Sequence, residues 1–121
     1  MTPTTDRLRE AFEREDLDAF VAALDPDVVW RRIEKPGVAT LLCSNREDVR
    51  RVFKDQRAQG RRGRPEIVAE SGDRIVVAPH AESPPAGLEE LHHVYTIRYG
   101  RIVEIQDYPS LASALEAAGA S

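Results

Sequence analysis

Apolar residues recur along this chain with two different periods. In the first third the period is helical. Leu8, Ala11 and Phe12 share one face of a helix that Thr4 or Thr5 can cap. Leu17, Phe20, Val21 and Leu24 share one face of a second, with Asp16 as its cap. Asp25-Pro26-Asp27 breaks that pattern, and the β-branched and aromatic run Val28 to Ile33 predicts a strand. Pro36-Gly37 predicts a turn. Ser44-Asn45-Arg46-Glu47 reads as a capping box, with Ser44 as the cap, opening a third helix that turns Val49, Val52 and Phe53 inward and ends at Gly60. Beyond Pro65 the period shortens to two. Strands are predicted at 66–70, 74–80, 91–98 and 101–108, with Pro79 needing an edge or a bulge. Tyr99-Gly100 is a tight hairpin turn, Ser83 to Gly87 a loop, and Ser110 to Ala118 a short closing helix followed by Gly119. Helices gathered early and strands late predict an α+β fold. Three helices of the N-terminal half lie in a curved, cone-shaped antiparallel or mixed sheet, whose open mouth suits a small molecule.

Composition narrows the possibilities. The chain has 121 residues, 41% apolar and 31% charged, which is one domain, residues 1–121, with room for a core and an internal pocket. Seventeen basic against 21 acidic residues leave a net charge of −4, a poor match for nucleic acid. The basic stretch Arg57 to Arg64 has no interleaved aromatic residues, so it reads as a solvated loop rather than a phosphate-binding patch. No apolar run approaches the roughly 18 residues of a membrane span. The lone Cys43 follows Thr40-Leu41-Leu42 and reads as a buried structural thiol. With a polar N-terminus unlike a signal peptide, it predicts a cytoplasmic protein.

The last strand carries the leading candidate for chemistry. Val103, Ile105 and Asp107 share one face, so Asp107 continues an apolar row. Desolvation there raises a carboxyl pKa and suits it to acid–base work. The alternative is a strand-end aspartate bound to nearby backbone amides. If the two-residue turn is followed by an unbroken ladder, Arg98 faces Arg101, Val94 faces Ile105 and His92 faces Asp107, giving a His–Asp proton shuttle. A bulge would bring His93 there instead. Trp30 and His80 are expected as pocket walls. In this register Tyr95 and Tyr108 lie on the opposite face with Ile97 and Ile102, a surface suited to a dimer contact; a different register makes Tyr95 a pocket hydroxyl. His92 and His93 are adjacent on a strand and point apart, so the three histidines do not predict a metal site, and no cofactor motif is present.

Three segments resemble the nuclear-transport-factor-two-like superfamily, most of all its SnoaL-like polyketide cyclase branch. They are Leu24-Asp25-Pro26-Asp27-Val28-Val29-Trp30, Asn45-Arg46-Glu47-Asp48-Val49, and Tyr99-Gly100-Arg101-Ile102-Val103-Glu104-Ile105-Gln106-Asp107-Tyr108, the most specific of the three. The resemblance implies a cone-shaped α+β barrel, often dimeric, and puts Asp107 at the catalytic aspartate of cyclase and epoxide hydrolase members. The epoxide hydrolase pattern of arginine and aspartate two apart falls on Arg74-Ile75-Val76, which lacks the second aspartate. Fold alone does not give function. The sequence therefore leads to a homodimeric domain binding a small apolar or aromatic organic molecule. If it is an enzyme, the chemistry is cofactor-free isomerisation, cyclisation or hydration at Asp107 and His92. Otherwise it is a carrier, a sensor or a dimerisation domain.

Overall fold

A computed structural model describes residues 3–35, 37–60, 64–80 and 90–120. Pro36 of the predicted turn, Arg61 and Arg62 of the basic stretch, and the predicted loop Ser83 to Gly87 lie outside the described residues. The elements are α1 (Pro3–Glu13), α2 (Leu17–Ala22), β1 (Leu24–Lys35), β2 (Val38–Cys43), α3 (Arg46–Ala58), β3 (Glu66–Ser71), β4 (Arg74–Ala78), β5 (His92–Arg98), β6 (Arg101–Tyr108) and α4 (Leu111–Ala118).

The six strands form one sheet in the order β2-β1-β6-β5-β4-β3. The central pair β1 and β6 is parallel and the other neighbours are antiparallel. This is the expected α+β architecture with a mixed, curved sheet. One face packs against α1, α2 and α3 through a core of Leu8, Phe12, Phe20, Val21, Leu24, Trp30, Val49, Ile75, Val77, Tyr95 and Ile105. The opposite face carries a smaller cluster, in which Ala114 and Ala118 of α4 sit on Val76 and Val94. Period-two alternation on β4 and β5 explains why neighbours such as Ile75 and Val76 serve different cores.

Local differences from the sequence expectations have physical causes. Val38–Cys43 forms a strand, although five of its six residues are exposed. As an edge strand it is held by backbone pairing to β1 and needs no buried face. Leu24 starts β1 instead of ending α2, pairing with Ile102. The ladder then skips to Val29–Glu104, so Pro26 sits where no ladder hydrogen bond is required. Inside that skip Asp27 N–H donates to Asp25 Oδ1 at 2.9 Å, a local turn within the strand. The cap of α3 is Asn45 rather than Ser44: its side chain accepts from Asp48 N–H at 2.9 Å, and Asp48 in turn accepts from Ser44 N–H. β4 ends at Ala78, because β4 lies between β3 and β5 and Pro79 has no N–H for an interior ladder. Helix α1 begins at Pro3, with Thr4 and Thr5 buried inside its first turn instead of capping it. Thr4 Oγ1–H donates to the Gly100 carbonyl at 2.8 Å and ties α1 to the β5–β6 turn.

Candidate active site

The β5–β6 hairpin decides which side chains meet. Tyr99 and Gly100 both have positive φ, 53° and 74°, as a two-residue type I′ turn requires. Arg98 faces Arg101 and Ile97 faces Ile102, as expected. The next pair is Thr96 with Glu104, so Val103 is an extra residue on β6, a β-bulge. Every later pair is displaced by one. His93 therefore faces Asp107, and His92 faces Tyr108. This corrects the expected His92–Asp107 register, and the cause is the bulge at Val103.

The same displacement moves the two tyrosines. Tyr95 pairs with Ile105 on the helix-covered face and is 3% exposed, and Ile97 and Ile102 also join the main core. Tyr108 packs beside the α4 cluster. The dimer surface expected from Tyr95, Tyr108, Ile97 and Ile102 is thus corrected, since three of the four are core residues.

Asp107 is fully buried. Its Oδ1 accepts two hydrogen bonds, from Trp30 Nε1–H at 2.7 Å and from His93 Nδ1–H at 2.5 Å. The donor on His93 must be Nδ1–H because an ionised carboxylate only accepts. Three strands supply these groups: β1 supplies Trp30, β5 supplies His93 and β6 supplies Asp107. Arg32, two residues beyond Trp30 on the same face of β1, places its Nη2 at 3.7 Å from Asp107 Oδ2. That is an ion pair but not a hydrogen bond. Asp107 Oδ2 and Arg32 Nε are buried, and neither finds a hydrogen-bond partner among the described residues.

Aromatic side chains hold the cluster in place. The Trp30 ring stacks on Phe53 of α3, centroids 5.6 Å apart at 14°. His93 meets Trp30 edge-on and Tyr95 at a tilt, and Phe20 of α2 packs against both Phe53 and Tyr95. Helices α2 and α3 thereby fix rings on β1 and β5 from above. Burial, with the Asp107 charge adding to it, pushes the Tyr95 hydroxyl far above the ordinary phenol range, so Tyr95 stays protonated and able to donate. Cys43, opposite Trp30 on β2, is 2% exposed. Burial first, then the Asp48 and Asp107 charges, push its thiol up to about 11, the inert state expected of a structural cysteine.

The remaining candidates lie elsewhere. His80 has φ 46° just beyond β4, and its half-exposed ring is 3.5 Å from Glu66. His92 Nδ1–H donates to the Glu90 carbonyl at 2.6 Å, away from Asp107. Among the described residues no three His, Cys, Asp or Glu side chains gather in a metal-ligating group. A cleft of about 450 Å³ is lined by Glu15, Asp16, Leu17, Asp18, Lys54 and Arg57. Its lining is mostly charged and includes no member of the Asp107 cluster. No described helix is long and apolar enough to cross a membrane. One member of the cluster escaped the sequence reading. Arg32 was reachable, because period two puts it beside Trp30. His93 is the partner expected in the event of a bulge, and the bulge at Val103 brings it to Asp107.

No curated protein matches the chain. A protein of unknown function with a nuclear-transport-factor-two-like fold from Burkholderia pseudomallei is similar at 26% identity and TM-score 0.59, covering 93% of this chain and 92% of that one. A putative polyketide cyclase from Sinorhizobium meliloti is similar in fold at 20% identity and TM-score 0.60, over 89% of this chain and 95% of that one. A protein with a ketosteroid isomerase-like fold from Catenulispora acidiphila, in complex with trimethylamine, is similar in fold at 18% identity and TM-score 0.57, over 100% and 96%. The SnoaL-like domain model matches residues 5–105, which span both the helical layer and the sheet up to Ile105, and the chain accordingly belongs to the SnoaL-like domain family.

Proposed function

We propose that this SnoaL-like domain is a cofactor-free acid–base enzyme acting on a small, partly apolar organic molecule, by isomerisation, cyclisation or hydration. The observation that carries this reading is the asymmetry of Asp107. One carboxylate oxygen is held by two N–H donors, and the other has no partner among the described residues. A carboxylate serving only structure has both oxygens hydrogen-bonded when buried. Here Oδ2 is left to exchange a proton with a substrate.

In an isomerisation, Oδ2 takes a proton from carbon as the C–H bond breaks, then returns it to another carbon as the O–H bond breaks. Trp30 and His93 are positioning residues that fix the carboxylate plane through Oδ1. The Arg32 guanidinium, beside Oδ2, favours negative charge developing on the substrate. His80 and His92 have no part in this scheme, and Tyr95 supplies a protonated hydroxyl in the same layer.

The test is solvent deuterium exchange into enolisable ketones and polyketide-like diketones, followed by NMR. Exchange above the buffer rate, lowered about a hundredfold or more in Asp107→Asn, is expected. Binding of such compounds without exchange in the wild type points to a carrier. A homodimer also belongs to this reading. Ala39 and Leu41 leave an apolar outer face exposed on β2, which α4 does not cover, and light scattering in solution gives the mass directly.

A further inference from the structure

We infer that Arg32 Nε and Asp107 Oδ2 together form a binding site for one neutral hydroxyl group of an alcohol, phenol or enol. The inference rests on reading the Asp107 cluster as a ligand site, and it names the class of ligand. The two atoms are a buried donor and a buried acceptor, and neither has a partner among the described residues. Leaving either unpaired is costly. They cannot satisfy each other in this arrangement, because the closest approach of the guanidinium to Oδ2 is 3.7 Å through Nη2. A group that accepts from Nε–H while donating to Oδ2 satisfies both.

Few groups do this with one atom. A hydroxyl has one donor and two acceptor lone pairs. A carbonyl only accepts and leaves Oδ2 bare. A carboxylate also only accepts, and it meets the Asp107 charge. An ammonium only donates and leaves Nε bare. The neighbouring polar atoms do not compete, since Trp30 Nε1 and His93 Nδ1 are both committed to Oδ1. The Arg32 side chain is 34% exposed although its Nε is buried, so a ligand reaches Nε only if the guanidinium shifts aside. Trp30, stacked on Phe53, puts an aromatic wall in the same layer for the apolar remainder of the ligand.

Water carries the same hydroxyl chemistry, so the test separates the two sources. Binding of para-fluorophenol, para-fluorotoluene and para-fluorobenzoate to the whole protein near neutral pH is followed by fluorine NMR. The Trp30 indole N–H resonance reports the site. Para-fluorophenol is expected to bind at least about tenfold more tightly than the other two and to shift that resonance. Arg32→Leu and Arg32→Lys are expected to lose about tenfold in phenol affinity while para-fluorotoluene is unaffected. The lysine variant keeps the charge but lacks Nε, and it also carries the test if the leucine variant does not fold.

Equal binding of phenol and toluene means that Nε and Oδ2 are served by water alone, and overturns the inference. Tighter binding of benzoate makes the site an anion site and overturns it as well, as does the absence of phenol binding. A wild type that binds the phenol but exchanges no carbon-bound deuterium upholds the hydroxyl site and removes the enzyme reading. A wild type that exchanges deuterium but prefers toluene does the reverse.

Discussion

Arg31 and Arg32 are neighbours on β1, and each pairs with an acid on β6 across opposite faces of one sheet. Arg31 Nη1 lies 2.5 Å from Glu104 Oε2, with both side chains more than a quarter exposed. Arg32 Nη2 lies 3.7 Å from Asp107 Oδ2, and there the acid is 0% exposed. Distance alone would rank the first pair as the stronger. Environment reverses the ranking. Water and ions screen the outer pair, and ordering two long side chains offsets most of its attraction. The inner carboxylate has lost its hydration, so each donor around it counts for more and each missing one costs more. A sheet with one face under helices and the other partly bare thus gives two similar-looking pairs different tasks. The tight outer pair closes a surface. The looser inner pair keeps a polar atom available.

The largest break in that comparison is removal of the inner acid. Asp107→Ala strands the Trp30 and His93 N–H groups and leaves the Arg32 charge facing apolar walls. A loss of about 3–5 kcal/mol in unfolding free energy is expected, read from urea midpoints at constant slope. A loss under about 1 kcal/mol, the range of an exposed pair, would mean that the cluster is wet and that the two pairs are alike after all.

Trp30→Phe comes next. It keeps a ring against Phe53 but deletes the indole donor to Oδ1. A hydrogen bond to a charged group contributes about 1.5–3 kcal/mol, and a destabilisation of that size is expected in the same urea series. The His93 ring then holds Asp107 alone, so any proton-transfer activity falls while binding of an apolar ligand persists. A variant as active and as stable as wild type would show that Trp30 only fills space.

Smaller and confined to alkaline pH is the effect of Cys43. Its thiol ionises near 9 in an unfolded chain and near 11 in the fold, because burial and the nearby Asp48 and Asp107 charges resist a thiolate. The unfolded state therefore releases its proton first. The stabilisation is complete below about 9 and is lost as pH rises towards about 11. Cys43→Ala should show a flatter decline than wild type across that interval, measured as the difference between urea midpoints. Parallel curves would place the thiol in a wetter setting than the fold shows.

Much of this arrangement was legible along the chain, for reasons that separate its two faces. Leu8, Phe20 and Val49 sit at helical spacing, and Ile75, Val77 and Ile105 at strand spacing. All six lie in the main core because burial of one face fixes period. The same rule put Asp107 inward. The Tyr99-Gly100 turn was legible because few residues adopt its positive φ angles. The bulge was not, since Val103 is an ordinary strand residue and nothing local marks it as the extra one. A shift of one residue then exchanges His92 for His93, so the partner of the best-marked residue was the worst-marked. Strand β2 was hidden differently. Val38–Cys43 is a short apolar run, but it is mostly exposed and owes its shape to β1. Backbone pairing to a neighbour leaves little trace in side-chain pattern.

The outer pair supplies the smallest effect and the control for the rest. Arg31→Ala removes the partner of Glu104 at a place where water replaces it. A change of about 0.5 kcal/mol or less is expected in the urea midpoint, shrinking further as salt is raised. Deuterium exchange and phenol binding should be untouched, because Arg31 faces away from the helices while Arg32 faces towards them. The variant therefore separates a general loss of positive charge on β1 from loss of the one guanidinium beside Asp107. If Arg31→Ala weakened phenol binding as much as Arg32→Lys, the field of the whole strand and not the Nε–H of Arg32 would be setting affinity, and the distinction between the two faces would collapse into net charge.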